Sequence, residues 1–263
     1  MANLNIEFYS NCLCRPVQFK MLIPNDFSDG WQPEQKRKGK RMKTLFLLHG
    51  YSGSAGNWMP EYMASLYNFC IVMPTGENGF WVDGISTGHR FGTFLAVELV
   101  DYVRSTFHLA MNAEETYIMG LSMGGYGALH TALLYPDRFS KAAGLSSALI
   151  LEKVSKMKPG DPDSHANYEY YRECFGNTEN VLESDHNPEV LVDRILKTGG
   201  RMPELLMACG TEDFLLENNR AFHRFLDMRG VNHVYMESPG THDMKFWQEY
   251  ACRFGEMMFD TED

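Results

Sequence analysis

A serine between glycines, Gly120-Leu121-Ser122-Met123-Gly124, is the most chemically suggestive feature of the chain. This G-x-S-x-G pattern sits where the apolar run TYIM gives way to GYGALHTALLY, so a strand precedes the serine and a helix follows it. Such a turn forces the serine backbone into a strained conformation that lifts its hydroxyl above the sheet, and glycines let strand and helix approach without Cβ clashes. A serine hydroxyl is a weak nucleophile until an imidazole removes its proton, and that imidazole needs a carboxylate to hold its tautomer. The chemistry implied is acyl transfer through a serine.

The acid and base belong downstream, each in a loop beyond the C-terminal end of a strand. After ELLMAC comes Gly210-Thr211-Glu212-Asp213, and after HVYMES comes Pro239-Gly240-Thr241-His242-Asp243. His242, in a glycine-containing loop, is the expected base. His223, inside a helical stretch, and His233, opening a strand, read as structural or surface residues. Glu212 and Asp213 both occupy the acid's loop, and spacing does not choose between them. For the oxyanion hole, Met123 N–H follows the nucleophile at the helix start, and His49-Gly50-Tyr51-Ser52-Gly53 after TLFLL points to Tyr51 N–H as the second donor. Trp58, Phe80, Trp81 and Trp247 are candidates for lining an acyl or alcohol pocket, although core packing accounts for any one of them equally well.

Positioning these groups requires a scaffold, and the hydrophobic pattern supplies one. Leu4, Ile6 and Phe8, then Val17, Phe19, Met21 and Ile23, alternate with polar residues as an opening antiparallel pair. From Thr44 onward, short apolar strands alternate with helical segments: TLFLLH (44–49), FCIVMP (69–74), TYIMG (116–120), AAGLSS (142–147), ELLMAC (204–209) and HVYMES (233–238). Helices are expected over 93–107, 125–135, 218–228 and 243–258. That alternation predicts an α/β fold, a mostly parallel central sheet with helices on both faces. Residues 149–200 break the rhythm with Pro159, Gly160, Pro162, Gly176 and Pro188, and read as a cap-like helical insertion within a single domain spanning 1–263.

The 263 residues are 44% hydrophobic and 22% charged, a globular rather than disordered composition. A formal charge of −10 argues against nucleic acid or an anionic membrane surface as the main partner and favours a small molecule. The only basic run, Lys36 to Lys43 within the polar stretch 25–43, reads as a solvated loop between strands. No basic start with a long apolar run opens the chain, and no window approaches the roughly 18 apolar residues of a membrane span, so a cytoplasmic location is expected. In that setting the six cysteines are expected as thiols, with Cys12 and Cys14 sharing a turn. Self-association stays open.

Taken together, LFLLHGYSGSAGNW, IMGLSMGGYGAL, CGTEDFLLENNRAFHRFL and SPGTHDMKFWQEY resemble the esterase D-like branch of α/β hydrolases, from about Leu4 to Phe254. That branch includes bacterial tributyrin esterases, S-formylglutathione hydrolases and feruloyl or acetylxylan esterase domains. The resemblance implies Ser122 as nucleophile, Asp213 as acid, His242 as base, and no metal or organic cofactor. FWVDGISTGHRFGTFLAVELVDYV looks most like the tributyrin-type esterases. S-formylglutathione hydrolases usually carry a D-T-S-P-R-G-like stretch where this chain has Met73-Pro74-Thr75-Gly76-Glu77-Asn78-Gly79, which counts against the glutathione thioester. The expected activity is hydrolysis of short-chain acyl esters; feruloyl or acetylxylan deacylation, acyl transfer to an alcohol and a hydrolase-fold binding protein without turnover are its rivals.

Overall fold

A computed structural model of the protein describes residues 1–24, 36–37, 39–162 and 165–260. β1 (Ala2–Ser10) and β2 (Arg15–Ile23) form an antiparallel hairpin. β3 (Lys43–Leu48), β4 (Phe69–Pro74), β5 (Thr116–Leu121), β6 (Lys141–Leu145), β7 (Glu204–Gly210) and β8 (His233–Ser238) pair in parallel, and β2 joins them by pairing antiparallel with β4. The resulting eight-stranded sheet has the order β1-β2-β4-β3-β5-β6-β7-β8. This is the expected α/β-hydrolase architecture. Ser122 leaves the sheet at β5, near its middle, while the loops that carry Asp213 and His242 follow β7 and β8.

The two-residue period of a strand sorts the core. Along β3, Phe46 and Leu48 face one apolar cluster and Leu45 and Leu47 the other. Covered on both faces, β3, β4 and β5 are buried throughout, whereas edge strand β1 alternates half-buried and exposed positions. α1 (Tyr62–Tyr67) and α9 (Met244–Phe259) lie on one side of the sheet, where Phe254 and Phe259 pack beside Met63 and Tyr67. The other side carries α2 (Phe91–Thr93), α3 (Val100–Phe107) and α4 (Met123–Leu134). α4 is wedged so deeply that every residue from Met123 to Leu133 is buried, so it shows no polar face.

The helix expected over 93–107 is interrupted: a wide π-helical stretch (Phe94–Leu99) separates α2 from α3. Within it Glu98 accepts hydrogen bonds from the Ser10 hydroxyl and the Asn11 and Cys12 N–H groups, tying the helix to the turn of the opening hairpin. The insertion contains α5 (Leu151–Ser155), α6 (Tyr168–Phe175), a 3₁₀ turn (Thr178–Glu183) and α7 (Pro188–Thr198), before the chain rejoins the sheet through β7 and continues into α8 (Leu216–Met228).

The basic run departs in part from its expected solvated state: Lys36, Lys40 and Arg41 are exposed, whereas Arg37 and Lys43 are buried. Of the expected stretch 25–43, residues 25–35 and 38 lie outside the described residues. Arg37 is 5% exposed and donates to the Phe259 carbonyl, Lys43 is 6% exposed and donates to the Tyr117 hydroxyl, and Lys36 contacts Tyr67 and Asp260. Their aliphatic stems lie along apolar surface while the charged heads reach oxygen acceptors around the end of α9. All six cysteines are thiols, and Cys12 and Cys14 do share a turn. Among the described residues, no helix is long and apolar enough to cross a membrane.

Candidate active site

Ser122 has φ 54° and ψ −118°, a backbone conformation that L side chains rarely adopt. Two glycines make the turn sterically feasible. A Cβ on Gly120 would stand 2.0 Å from the Gly124 carbonyl oxygen, and one on Gly124 would stand 2.5 Å from that of His49. Ser122 N–H donates to Leu145 O at 2.8 Å, while the Ser122 carbonyl accepts from Tyr126 and Ala148, so the strained peptide is locked between β6 and α4. The serine side chain does not cap α4, which leaves its hydroxyl for other partners.

The principal partner is His242. Its Nε2 lies 3.0 Å from Ser122 Oγ and its Nδ1 lies 2.8 Å from Asp213 Oδ2. Asp213 also accepts from Leu215 N–H at 2.8 Å, and its side chain is fully buried. Burial pushes the Asp213 carboxyl up, but hydrogen bonds from His242, Leu215 N–H and Ser146 outweigh it and hold the group below the ordinary carboxylate range. The charged form is therefore maintained beside the imidazole. Glu212, its neighbour in sequence, is turned elsewhere: its carboxylate accepts from Gly240 N–H at 2.5 Å and from the Thr211 hydroxyl at 2.9 Å. Glu212 fastens the loop that carries His242, whereas Asp213 touches the ring.

Aromatic rings hold the imidazole from two sides. Phe214 lies 4.6 Å from it between centroids, and Trp247 stands edge-on at 4.8 Å with an interplanar angle of 90°. Trp247 Nε1 donates to Ser146 Oγ at 3.1 Å. Ser146, buried at the end of β6 with φ 46°, thus links Trp247 to the Asp213 carboxylate. Neither Ser146 nor Phe214 stood out in the sequence. Phe214 could have been suspected from its place next to Asp213, but nothing local marks Ser146.

The loop after β3 closes the site. A Cβ on Gly50 would meet Ser122 Cβ at 3.3 Å, so this backbone runs directly against the serine. His49 braces it: Nδ1–H donates to the Gly50 carbonyl at 2.8 Å, and Nε2 accepts from Gly76 N–H at 2.9 Å. Burial pushes the His49 imidazole down, against the opposing effect of the Gly50 bond, in keeping with a neutral ring in this acceptor role. Tyr51 and Met123 line a cavity of about 440 Å³ together with Ser122, Phe80, Tyr170, Phe214 and Lys153. A second cavity of about 590 Å³ shares Ser122, Tyr51 and Phe214 with the first and is lined also by His242, Trp58, Met244 and Trp247. The insertion contributes Lys153, Tyr170 and Tyr171 to the first cavity, residues with no motif to reveal them.

Trp81 is a correction to the expected pocket lining. It is completely buried and lines neither cavity; Gly76 and Gly127 admit its ring, and its Nε1 donates to the His49 carbonyl at 3.3 Å. It supports the loop beneath the site. His223 and His233, expected as structural or surface residues, lie in mutual contact between α8 and the start of β8, with Asp227 beside them.

Fold and constellation together define a serine hydrolase of the α/β-hydrolase type, a carboxylic ester hydrolase. More particularly, the chain belongs to the family described as "Putative esterase", whose sequence model matches residues 10–251. It is 35% identical over 271 residues to an acetyl esterase of Caldicellulosiruptor saccharolyticus, the match covering 100% of both chains. Among solved structures it is similar to a substrate-bound fluorophosphonate-binding serine hydrolase F of Staphylococcus aureus, with TM-score 0.83, 25% identity and 99% of each chain covered. It is also similar to the S-formylglutathione hydrolase of the same organism, with TM-score 0.80, 26% identity and 98% of each chain covered.

Proposed function

We propose that the protein hydrolyses short-chain acyl esters through an acyl-enzyme formed on Ser122. The observation that carries this reading is the unbroken chain from Asp213 Oδ2 through His242 to Ser122 Oγ, with links of 2.8 and 3.0 Å. Ser122 Oγ attacks the ester carbonyl as His242 Nε2 takes its proton, and Asp213 keeps the other imidazole proton on Nδ1. The Tyr51 and Met123 N–H groups receive the developing oxyanion. The tetrahedral species collapses, His242 returns the proton to the departing alcohol, and water repeats the sequence on the acyl-enzyme. Short acyl chains are favoured by the name of the acetyl esterase relative, which aligns end to end. The two cavities meeting at Ser122 give acyl and alcohol portions separate room.

A fluorophosphonate probe tests the nucleophile: the wild type should be labelled and Ser122→Ala should not, and equal labelling of both would remove Ser122 from the role. Comparing kcat/KM for p-nitrophenyl acetate, butyrate and octanoate tests the acyl preference, which falls if octanoate is the best substrate. S-formylglutathione belongs in the same series, since likeness to an S-formylglutathione hydrolase over 98% of both chains favours a thioester as the second reading.

A further inference from the structure

Apart from the proposed catalytic groups, one cluster of ligating side chains stands out among the described residues: His223, Asp227 and His233, whose ligand atoms all lie within 4.8 Å of one another. We propose that this cluster is a binding site for a borderline divalent metal ion of the Zn²⁺ type, clipping α8 to the start of β8.

Three features support the assignment. His223 and Asp227 are spaced i,i+4 on α8, which puts both side chains on one helix face, and His233 is the first residue of β8, where it packs against that face. His233 Nδ1 lies 2.8 Å from the Val231 carbonyl, so it carries the ring proton and donates it there; Nε2 is left as a lone pair directed into the cluster. Metal-binding histidines are commonly held in this way, with one nitrogen anchored to a carbonyl and the other facing the remaining ligands. The cluster is also compact. Zn–N bonds of about 2.1 Å place neighbouring ligands roughly 3.4 Å apart. Here one ligand atom from each of the three residues lies within 4.8 Å of the other two, so small side-chain shifts bring the set to that spacing.

His223 stands between its two partners, Nδ1 toward His233 and Nε2 toward Asp227. Arg220, one turn earlier on α8, is engaged with Glu217 and Glu237. Tyr235 stacks on the His223 ring at 4.4 Å and limits its reorientation. Two imidazoles and one carboxylate suit Zn²⁺, Co²⁺ or Ni²⁺ over the oxygen-seeking Mg²⁺ and Ca²⁺. With three protein ligands, water completes the tetrahedron on the exposed side, where Asp227 lies.

The test uses the full chain without an affinity tag, treated with chelator and dialysed. Calorimetric titration with Zn²⁺ should give one ion per chain, Mg²⁺ should give none, and Zn²⁺ should raise the melting temperature. His223→Gln and Asp227→Asn should each weaken Zn²⁺ binding by about tenfold or more, since even groups that merely orient ligands are worth about 10- to 100-fold. Both positions are solvent-accessible, so metal-free melting temperatures and ester hydrolysis should match the wild type. Cys14→Ser and His242→Ala should bind Zn²⁺ as the wild type does. Absence of one-to-one binding, binding unchanged in His223→Gln and Asp227→Asn, or binding lost in Cys14→Ser or His242→Ala would each overturn the proposal.

Discussion

Replacing Asp213 by asparagine is the sharpest test of the proposed mechanism, because Glu212 beside it provides an internal control. Asp213 accepts from His242 Nδ1 and from Leu215 N–H, each at 2.8 Å. An asparagine fits the same space but has only one acceptor. With its oxygen on Leu215 N–H, its amide hydrogens face His242 Nδ1, which must then accept. The ring proton moves to Nε2, where it points at Ser122 Oγ, and the general base is lost. Such a tautomer reversal costs about 10⁴ in kcat in a serine protease, or about 5.5 kcal/mol at about 1.36 kcal/mol per tenfold. Glu212→Gln should behave differently. Its amide oxygen can still accept from Gly240 N–H, so kcat/KM on p-nitrophenyl acetate should stay within about threefold of wild type. Melting temperatures of both variants establish that the comparison is between folded proteins. Asp213→Asn retaining activity within tenfold of wild type, or Glu212→Gln falling with it, would refute the assignment.

Gly124→Ala directs a Cβ at the His49 carbonyl 2.5 Å away and should push back the loop bearing Tyr51; kcat should drop about 100-fold, the scale of one oxyanion donor, with KM little altered. Ser146→Ala removes a hydrogen bond to the Asp213 carboxylate and the acceptor of Trp247 Nε1, and steady-state kinetics should show kcat about tenfold lower at similar KM. Burial lowers the His130 pKa from 6.5 to about 4, so between those values the unfolded chain binds a proton that the native state refuses. Stability should therefore fall as pH drops from about 6.5 to 4, by about 3 kcal/mol from this residue, and His130→Gln should flatten the decline in chemical denaturation.

Most of the scaffold was legible because strand period and chain order are local properties. TYIM followed by a glycine-flanked serine announces both the strained turn and the helix behind it, and the loops after β7 and β8 follow from where those strands end. What escaped detection depends on residues far apart in sequence. Trp81 reads the same as a pocket wall or a core residue until Gly76 and Gly127 are brought against its ring. Arg37 and Lys43 read as solvated until the end of α9 and Tyr117 meet them. The π-helical stretch at 94–99 interrupts an unbroken apolar periodicity, and its Glu98 is occupied by a hairpin turn more than 80 residues earlier. Between Glu212 and Asp213 only the resemblance chose, since two adjacent carboxylates differ in direction and not in pattern.

The sheet runs outward from β5 in chain order, β5-β6-β7-β8, with the proposed base in the loop after β8. The serine turn is fastened to β6, with Ser122 N–H on Leu145 O, whereas His242 arrives from the far edge of the sheet. Under the proposed mechanism, docking of β8 is what turns Ser122 from an ordinary hydroxyl into a nucleophile. A chain cut before residue 242 should therefore be inert toward a fluorophosphonate even where its serine turn is intact.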